Sequence, residues 1–454
     1  METQLKQDQE VLITIKSIGI DGEGVGFYKR QAVFVPGAIP PEEVVIKITK
    51  LNKGYAVGEI VRIKKKSFYR RSPFCKHYGD CAGCQLQHVE YEEQQRLKEG
   101  LLKQSFERFT DLNLRTIKFH HFNPIVKPRH YRHQSNMFVI DTKDGVMTAL
   151  PKKNSNTLIE VPSCPIQDEV INRINQRVLE ICDDNDIYAF NEKNMRGMLR
   201  RIVTRKSHAT GEIQVTLVVT IFNKVLKSAA KAILDLEGVV SVAISKNHDA
   251  NNKNTFGDTF EILEGKPTIE EKLGDTVYHL SPVDRFPINP AEAENMFEYI
   301  STIFENQSQN ALLNLYGGSG VFALYHAKYF NTVTLVDTNE MMVSSAKKSA
   351  KANGIDNIHF MHSAEHSAVQ SLKAKKISFD VVLVSPPKHG LSQQLIRQLK
   401  EGTFKQIVYV SKNPSTLAKD INHLKKHYTL KSVMPFDMHP QSARVDSVSV
   451  LERK

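Results

Sequence analysis

The chain's 454 residues are enough for roughly two to four domains, and a composition 41% hydrophobic and 24% charged excludes a disordered chain. Lysine and arginine exceed aspartate and glutamate by eleven, so a polyanion is the expected partner class. No apolar run approaches a membrane-spanning length, Met1-Glu2-Thr3-Gln4 begins no signal-peptide core, and five cysteines in so long a chain make no disulfide framework. These features predict a cytoplasmic protein.

Over residues 11–63 short alternating strands recur, at 11–18, 26–28, 31–35, 44–51 and 55–61, separated by turns such as Asp21-Gly22-Glu23-Gly24 and Pro36-Gly37. The pattern predicts a small β-barrel. At its exit Lys64, Lys65, Lys66, Arg70 and Arg71 surround Phe68 and Tyr69. A surface that pairs with phosphates and stacks on bases has this composition, and so does a solvated linker. Cys75, Cys81 and Cys84 then form a tight group, with Cys164 far downstream between Pro162 and Pro165. A metal centre needs thiolates that converge from fixed turns, and zinc and a [4Fe–4S] cluster both fit this set. Cys182 stands alone and is expected in a core.

A helical pattern over 91–109, with Leu97, Leu101, Leu102 and Phe106 on one side, ties the cysteine region to the next domain. Lys127-Pro128-Arg129-His130-Tyr131-Arg132-His133 is basic with an aromatic inside it, as a phosphate-positioning segment would be. Strands at 137–140, 202–205, 213–219 and 239–244, the last after a helix, make a mixed αβ segment. Beyond Asn289 strands and helices alternate strictly. The run Leu312-Leu313-Asn314-Leu315 ends in Tyr316-Gly317-Gly318-Ser319-Gly320 and resumes as a helix, the pattern of a nucleotide-binding turn. A second strand, 333–337, ends at Asp337, a carboxylate suited to a ribose diol. Helix 341–353, then strands 358–361, 381–384 and 407–410 with their helices, complete a doubly wound, mainly parallel sheet. Two strands near 430–434 and 445–451 have no helix between them and predict an antiparallel hairpin at one edge.

With these residues in place the chain resembles, along nearly its whole length, the RNA uracil-C5 methyltransferase family, a branch of the class I S-adenosylmethionine-dependent methyltransferases. Val33-Phe34-Val35-Pro36-Gly37-Ala38 is similar to that family's TRAM domain, and the four grouped cysteines fall where its iron–sulfur members hold a [4Fe–4S] cluster. Tyr131-Arg132, Gly265-Lys266 with Glu271-Lys272-Leu273, Phe286 with Asn289, and residues 411–420 are similarly placed. The resemblance implies an α/β chain in three parts: a TRAM-type, OB-like, RNA-binding barrel over 1–66, a central αβ domain over 67–290 with the cluster region at 75–84 and 164, and a Rossmann-like methyltransferase domain over 291–454. It implies a [4Fe–4S] cluster on Cys75, Cys81, Cys84 and Cys164. It also implies S-adenosylmethionine near Tyr316, Gly318, Gly320, Asp337 and Ser385, and structured ribosomal or transfer RNA as the partner rather than DNA or a membrane.

Departures from the family pattern gather at the chemistry. Uracil C5 is a poor nucleophile, so the family adds a cysteine thiolate to C6 and a base later removes the C5 proton. The pattern around that thiolate is serine, cysteine, Asn-Pro, and here it reads Ser411-Lys412-Asn413-Pro414. Lys412 therefore stands at the nucleophile's position, and an ordinary lysine, with a pKa near about 10.4, is protonated and cannot attack. The family's basic glutamate is here Asp446, after Arg444-Val445. Asp-Pro-Pro-Arg is here Ser385-Pro386-Pro387-Lys388, the glutamine after Phe286 is Pro287, and the asparagine after Gly320 is Val321. The expectation is an RNA-binding family member without standard C5 methylation, a pseudoenzyme for that reaction. An enzyme that methylates an exocyclic amino group, or one with a substitute nucleophile, is the alternative.

Overall fold

The computed structural model describes residues 5–123, 127–143, 145–248, 254–305 and 310–454; the Met1-Glu2-Thr3-Gln4 start lies outside the described residues. The first five strands close on themselves: β1 (Glu10–Ile18), β2 (Gly24–Tyr28), β3 (Gln31–Val35), β4 (Glu43–Asn52) and β5 (Tyr55–Lys65), in the order β1-β2-β3-β5-β4. Closure leaves no free edge, and the inward positions Ile13, Ile15, Val33, Val35, Val44, Ile46 and Ile48 fill the barrel. The expected barrel is thus present, with β5 running on through Lys64 and Lys65.

Next comes α1 (Tyr91–Phe109), then the short β6 (Lys118–Phe119). A seven-stranded sheet comes after it, built from β7 (Gln134–Thr142), β8 (Gly145–Pro151), β9 (Leu158–Glu160), β10 (Leu199–Lys206), β11 (Ile213–Val219), β12 (Val239–Lys246) and β13 (Thr259–Gly265), in the order β13-β12-β11-β10-β7-β8-β9. Helices α2 (Glu169–Asp184) and α3 (Val225–Leu234) cover one face, and their apolar stripes, Ile174, Val178 and Cys182 on one, Leu226, Ala230 and Ile233 on the other, share a core with β11 and β12. Cys182, expected in a core, is there and is fully buried. The hairpin of β14 (Ile269–Leu273) and β15 (Thr276–Leu280) leads into α4 (Pro290–Glu305).

The last part alternates as expected: β16 (Ala311–Leu315), α5 (Val321–His326), β17 (Thr332–Asp337), α6 (Glu340–Ala352), β18 (Ile358–His362), α7 (Glu365–Ala374), β19 (Val381–Val384), α8 (Gln393–Glu401), β20 (Gln406–Ser411), α9 (Pro414–Leu424), β21 (Tyr428–Phe436) and β22 (Asp446–Arg453). The sheet order is β18-β17-β16-β19-β20-β22-β21-β6, with parallel pairing from β18 to β20. Both faces are buried, which is why Val381-Val382-Leu383-Val384 is continuously apolar. Alternate residues serve opposite cores: Leu312, Leu335 and Leu383 face α4, α5 and α6, while Leu313, Val336 and Val382 face α1, α7, α8 and α9.

The closing strands form the expected antiparallel hairpin, but a further short strand lies beyond it. Strand β22 inserts between β20 and β21 and alone runs antiparallel to the rest, whereas β21 pairs on its far side with β6, Ser432 opposite Lys118. The edge is therefore supplied by a segment more than 300 residues earlier in the chain, which no local pattern announces.

Candidate active site

In a doubly wound sheet the ligand sits beyond the carboxyl ends of the strands, where the order switches. Here the switch lies at β16, flanked by β17 and β19. Tyr316 follows β16, Asp337 ends β17, Ser385 follows β19 and Lys412 follows β20. Because β22 is antiparallel, its first residue, Asp446, lies at the same edge. The structure thus places all seven residues expected at the cofactor and the chemistry along one edge of the sheet, with Gly318 hydrogen-bonded to Asp337 and Lys412 opposite Asp446.

On the cofactor side the backbone carries the geometry. Gly318 and Gly320 have φ of +53° and +83°, and Tyr316, with φ of +58°, takes the same left-handed form at a cost that tends to be met at functional sites. A Cβ on Gly320 would fall 2.2 Å from Leu324 Cδ1 and 2.9 Å from Ala346 Cβ, so this glycine lets the start of α5 pack against α6. A Cβ on Gly318 would meet only Met342 Sδ at 3.9 Å, so the space before it is open to a ligand. Asp337 fixes the turn: Oδ2 accepts the Gly318 N–H at 2.8 Å and Oδ1 the Asn339 N–H at 2.9 Å. Each oxygen keeps a lone pair for a diol. Ser319 Oγ donates to the Arg285 carbonyl at 2.9 Å, tying in the loop that carries Phe286 and Asn289. Two buried side-chain atoms beside this turn, Asn314 Oδ1 and Asn289 Nδ2, have no partner. These features fit an adenosyl ligand. A separate cavity of about 830 Å³, lined by Phe379, Arg397, Gln398 and Phe404 between α7 and α8, is remote from this turn.

On the acceptor side the side chains are charged. Ser411 pairs with Ser447 across β20 and β22, so the register continues to Lys412 opposite Asp446. Asn413 caps α9 through its Oδ1 and donates its Nδ2 to the Lys388 carbonyl at 3.2 Å, which brings the Ser385–Lys388 loop against Lys412. Lys388, Lys412 and Arg444 are exposed, whereas Asp446 is buried. Burial pushes the Asp446 carboxyl up to about 6, against the pull of Lys412 and then Arg444. Partial burial, and then Arg444, lower the Lys388 ammonium, with Lys412 adding to the effect.

A layer that sequence reasoning missed lies under this loop. Lys98 of α1 and Asp437 form an ion pair of 2.7 Å with both side chains wholly inaccessible. Lys98 Nζ also donates to the His439 carbonyl, Tyr91 Oη donates to Asp437 Oδ2 at 2.9 Å, and the Asp437 N–H donates to Glu292. Burial raises Glu292 to about 7. Gln94 Nε2 donates to Gln441 Oε1, and the Gln441 carbonyl accepts the N–H groups of Gln85 and Leu86, just past Cys84. The available signal was on α1, where Gln94, Lys98, Leu101 and Ser105 continue one buried stripe.

The cysteines meet near β8 and β9. Cys84 and Cys164 share a packed cluster with Phe74, Met137 and Ile166, and Cys81 pairs with Lys152 at the end of β8. Burial raises the Cys84 thiol to about 12 and lifts Cys81 and Cys164, and each is lifted further by neighbouring thiols, Cys75 among them. The Gly83 N–H points at Cys81 Sγ, 3.3 Å away. Among the described residues no three His, Cys, Asp or Glu side chains are placed to hold one metal ion. In the Lys127–His133 segment Lys127, Arg129 and His130 are exposed, with Arg129 over Phe74, whereas Tyr131 bonds the Pro440 carbonyl and His133 is buried against Ile288. At the barrel exit Phe68 is 81% exposed under Arg71, while Arg70 instead pairs with buried Glu42 at 2.6 Å.

Comparison with known proteins agrees with this layout. The model of the family described as tRNA (Uracil-5-)-methyltransferase matches residues 90–454, and that of the TRAM domain matches residues 3–61. An uncharacterized RNA methyltransferase of Bacillus cereus is 34% identical over 456 residues, spanning 100% of this chain and 99% of its own. Another, of Halalkalibacterium halodurans, is 35% identical over 451 residues, spanning 98% and 97%. The crystal structure of the Pyrococcus abyssi tRNA (uracil-54, C5)-methyltransferase in complex with S-adenosyl-L-homocysteine superposes with a TM-score of 0.74 at 25% identity, covering 96% of this chain and 98% of that one. No helix among the described residues is long and apolar enough to cross a membrane.

Proposed function

Because the chain belongs to the tRNA (uracil-5-)-methyltransferase family, we propose that it binds S-adenosylmethionine and a structured transfer or ribosomal RNA in the cytoplasm, without carrying out the cysteine-dependent methylation of uracil C5. The observation that carries this reading is the Lys412 position. The ammonium lies opposite Asp446 at the edge where a thiolate would have to attack, and none of the five cysteines can replace it, since Cys182 is buried in α2 and the other four gather at the β8–β9 site. Lys412 is exposed, not buried as a neutral lysine nucleophile has to be.

S-adenosylmethionine, when bound, supplies an electrophilic methyl group on a sulfonium. Tyr316, Gly318 and Gly320 shape the room for it, Asp337 offers its free lone pairs to the ribose, and Ser385 faces the same edge without the carboxylate of the family pattern. Phe68 and the Lys64–Lys66 run of the barrel supply a base-stacking and phosphate-pairing surface. The boundaries 1–66, 67–290 and 291–454 are the proposed division of these tasks.

Cys75, Cys81, Cys84 and Cys164 are proposed to hold a [4Fe–4S] cluster. Cys81, Cys84 and Cys164 each lie close enough to other cysteines, Cys75 among them, for their thiols to be lifted, and the Gly83 N–H aimed at Cys81 Sγ suits thiolate ligation. Visible charge-transfer absorbance that vanishes in Cys81→Ser is expected, whereas a colourless protein with stoichiometric zinc contradicts it.

Incubating the protein with methyl-tritiated S-adenosylmethionine and total RNA from a strain deleted for it tests the function: no transfer is expected. Label in exocyclic amino groups would support the alternative in which Ser385-Pro386-Pro387 holds such a nitrogen, a reaction that needs no protein nucleophile. Lys412→Cys should then gain some C5 methylation if only the sulfur is missing.

A further inference from the structure

Among the described residues, three cationic side chains stand at the acceptor edge without a direct ion pair, and only two carboxylates, Asp446 and Asp21, act on them from a distance. Lys412 follows β20, Lys388 ends the loop after β19, and Arg444 precedes β22. Backbone contacts hold them together: Ser411 pairs with Ser447, and the Lys388 carbonyl accepts from both Asn413 Nδ2 and Thr416 Oγ1 at 3.2 Å. None of the three heads has a hydrogen-bond or ion-pair partner among the described residues. A fourth cation, Arg132, approaches the same loop with a buried Nε that also lacks a partner.

The carboxylates nearby do not balance them. Asp437 is used up by Lys98, Asp446 is the buried group opposite Lys412, and Asp21 reaches Lys388 from the barrel turn. Clustered like charges in excess of their counter-charges favour a bound anion over an empty site. A flipped uracil offers only neutral carbonyl acceptors, whereas a phosphodiester group carries one negative charge and makes the stronger charge-assisted hydrogen bonds through its free oxygens.

We propose that Lys388, Lys412 and Arg444 form a phosphate-binding cradle that grips the RNA backbone at the place where the family pattern puts its base-attacking thiolate. This rests on the RNA-binding function proposed above and names what that function does at this edge. The substitution at residue 412 is then an exchange of ligand, backbone phosphate in place of base.

The test measures binding of the full-length protein to a fluorescent single-stranded RNA of about 12 nucleotides, the size range of one binding groove, over a series of salt concentrations. Losing one phosphate contact on a single strand lowers the slope of log K against log salt by about 0.7. Lys412→Ala, Lys388→Ala and Arg444→Ala are each expected to lower it by that amount and to weaken binding several-fold regardless of sequence. Lys412→Arg should keep the wild-type slope, as should Lys347→Ala on the outer face of α6. Equal thermal midpoints check that the exposed substitutions leave the fold intact. Unchanged slopes in all three alanine variants overturn the cradle while leaving RNA binding itself intact. Wild-type protein that binds neither this strand nor folded transfer or ribosomal RNA overturns the function reading first, and the cradle with it. Calorimetry with inorganic phosphate separates the sources: binding of the free ion that Lys412→Ala abolishes, with no change in the RNA slope, assigns the site to a free anion and overturns the proposal.

Discussion

The two halves of the edge beyond β16–β20 differ in what carries their chemistry. On the cofactor side it is mainly backbone: left-handed Tyr316, Gly318 and Gly320, N–H groups fixed by Asp337, and space where a Cβ is missing. On the acceptor side it is side chains on a similar frame, where one residue, Lys412 on the Ser411-Lys412-Asn413-Pro414 turn, changes what the edge can do. Geometry made by the main chain survives substitution, while reactivity made by a single side chain does not.

The largest effect is expected beneath the acceptor side. Lys98→Ala strands the buried Asp437 carboxylate and should cost about 3–5 kcal/mol in chemical denaturation. Loss of RNA binding with intact S-adenosylhomocysteine binding in the folded fraction would show that this layer supports one half only. Next is Asp446. Its carboxyl is raised to about 6 by burial, with Lys412 and Arg444 pulling down and Asp437 pushing up, so in the folded protein it holds its proton longer than in the unfolded chain. The stability it contributes is complete below about pH 4 and is lost as pH rises through about 6. Asp446→Asn should therefore unfold at higher urea than wild type at pH 8, by up to about 3 kcal/mol, and gain nothing at pH 4; an equal gain at both would place the cause elsewhere.

The cofactor side is sharpened by Asp337→Asn. Removing a charged acceptor from two N–H groups and a ribose should weaken S-adenosylhomocysteine by about 10- to 100-fold in calorimetry. RNA affinity should not move. The smallest effect lies farthest away: Phe68→Ala removes an exposed stacking ring from the barrel exit and should lower RNA affinity by about 1 kcal/mol, or several-fold, without changing the salt slope.

The same contrast explains what the sequence could tell. The glycine turn, Asp337 and the strands behind them follow from local periodicity, and the barrel strands and the helix at 91–109 were equally plain. The acceptor residues were legible only by comparison with a family pattern, since Lys412 and Asp446 look ordinary in isolation. What could not be read depends on distance: β6 completing a sheet built from residues after 310, β22 slotting between β20 and β21, and Lys98 meeting Asp437 across 339 residues. A lysine in a helix is normally solvated, and only the partner reveals that this one is buried. Within the Lys127–His133 run the pattern did not show which residues turn inward: His133 is buried and Tyr131 bonds the Pro440 carbonyl, while Lys127, Arg129 and His130 stay exposed.

Incubation with transcripts in which 5-fluorouridine replaces uridine, with S-adenosylmethionine present, addresses the missing sulfur most directly. The fluorine blocks loss of the C5 substituent, so any enzyme that adds covalently to C6 is trapped on the RNA. Wild-type protein should give no protein–RNA species on a denaturing gel. A trapped species mapping to Lys412, or to any other residue of the wild-type chain, would contradict the account.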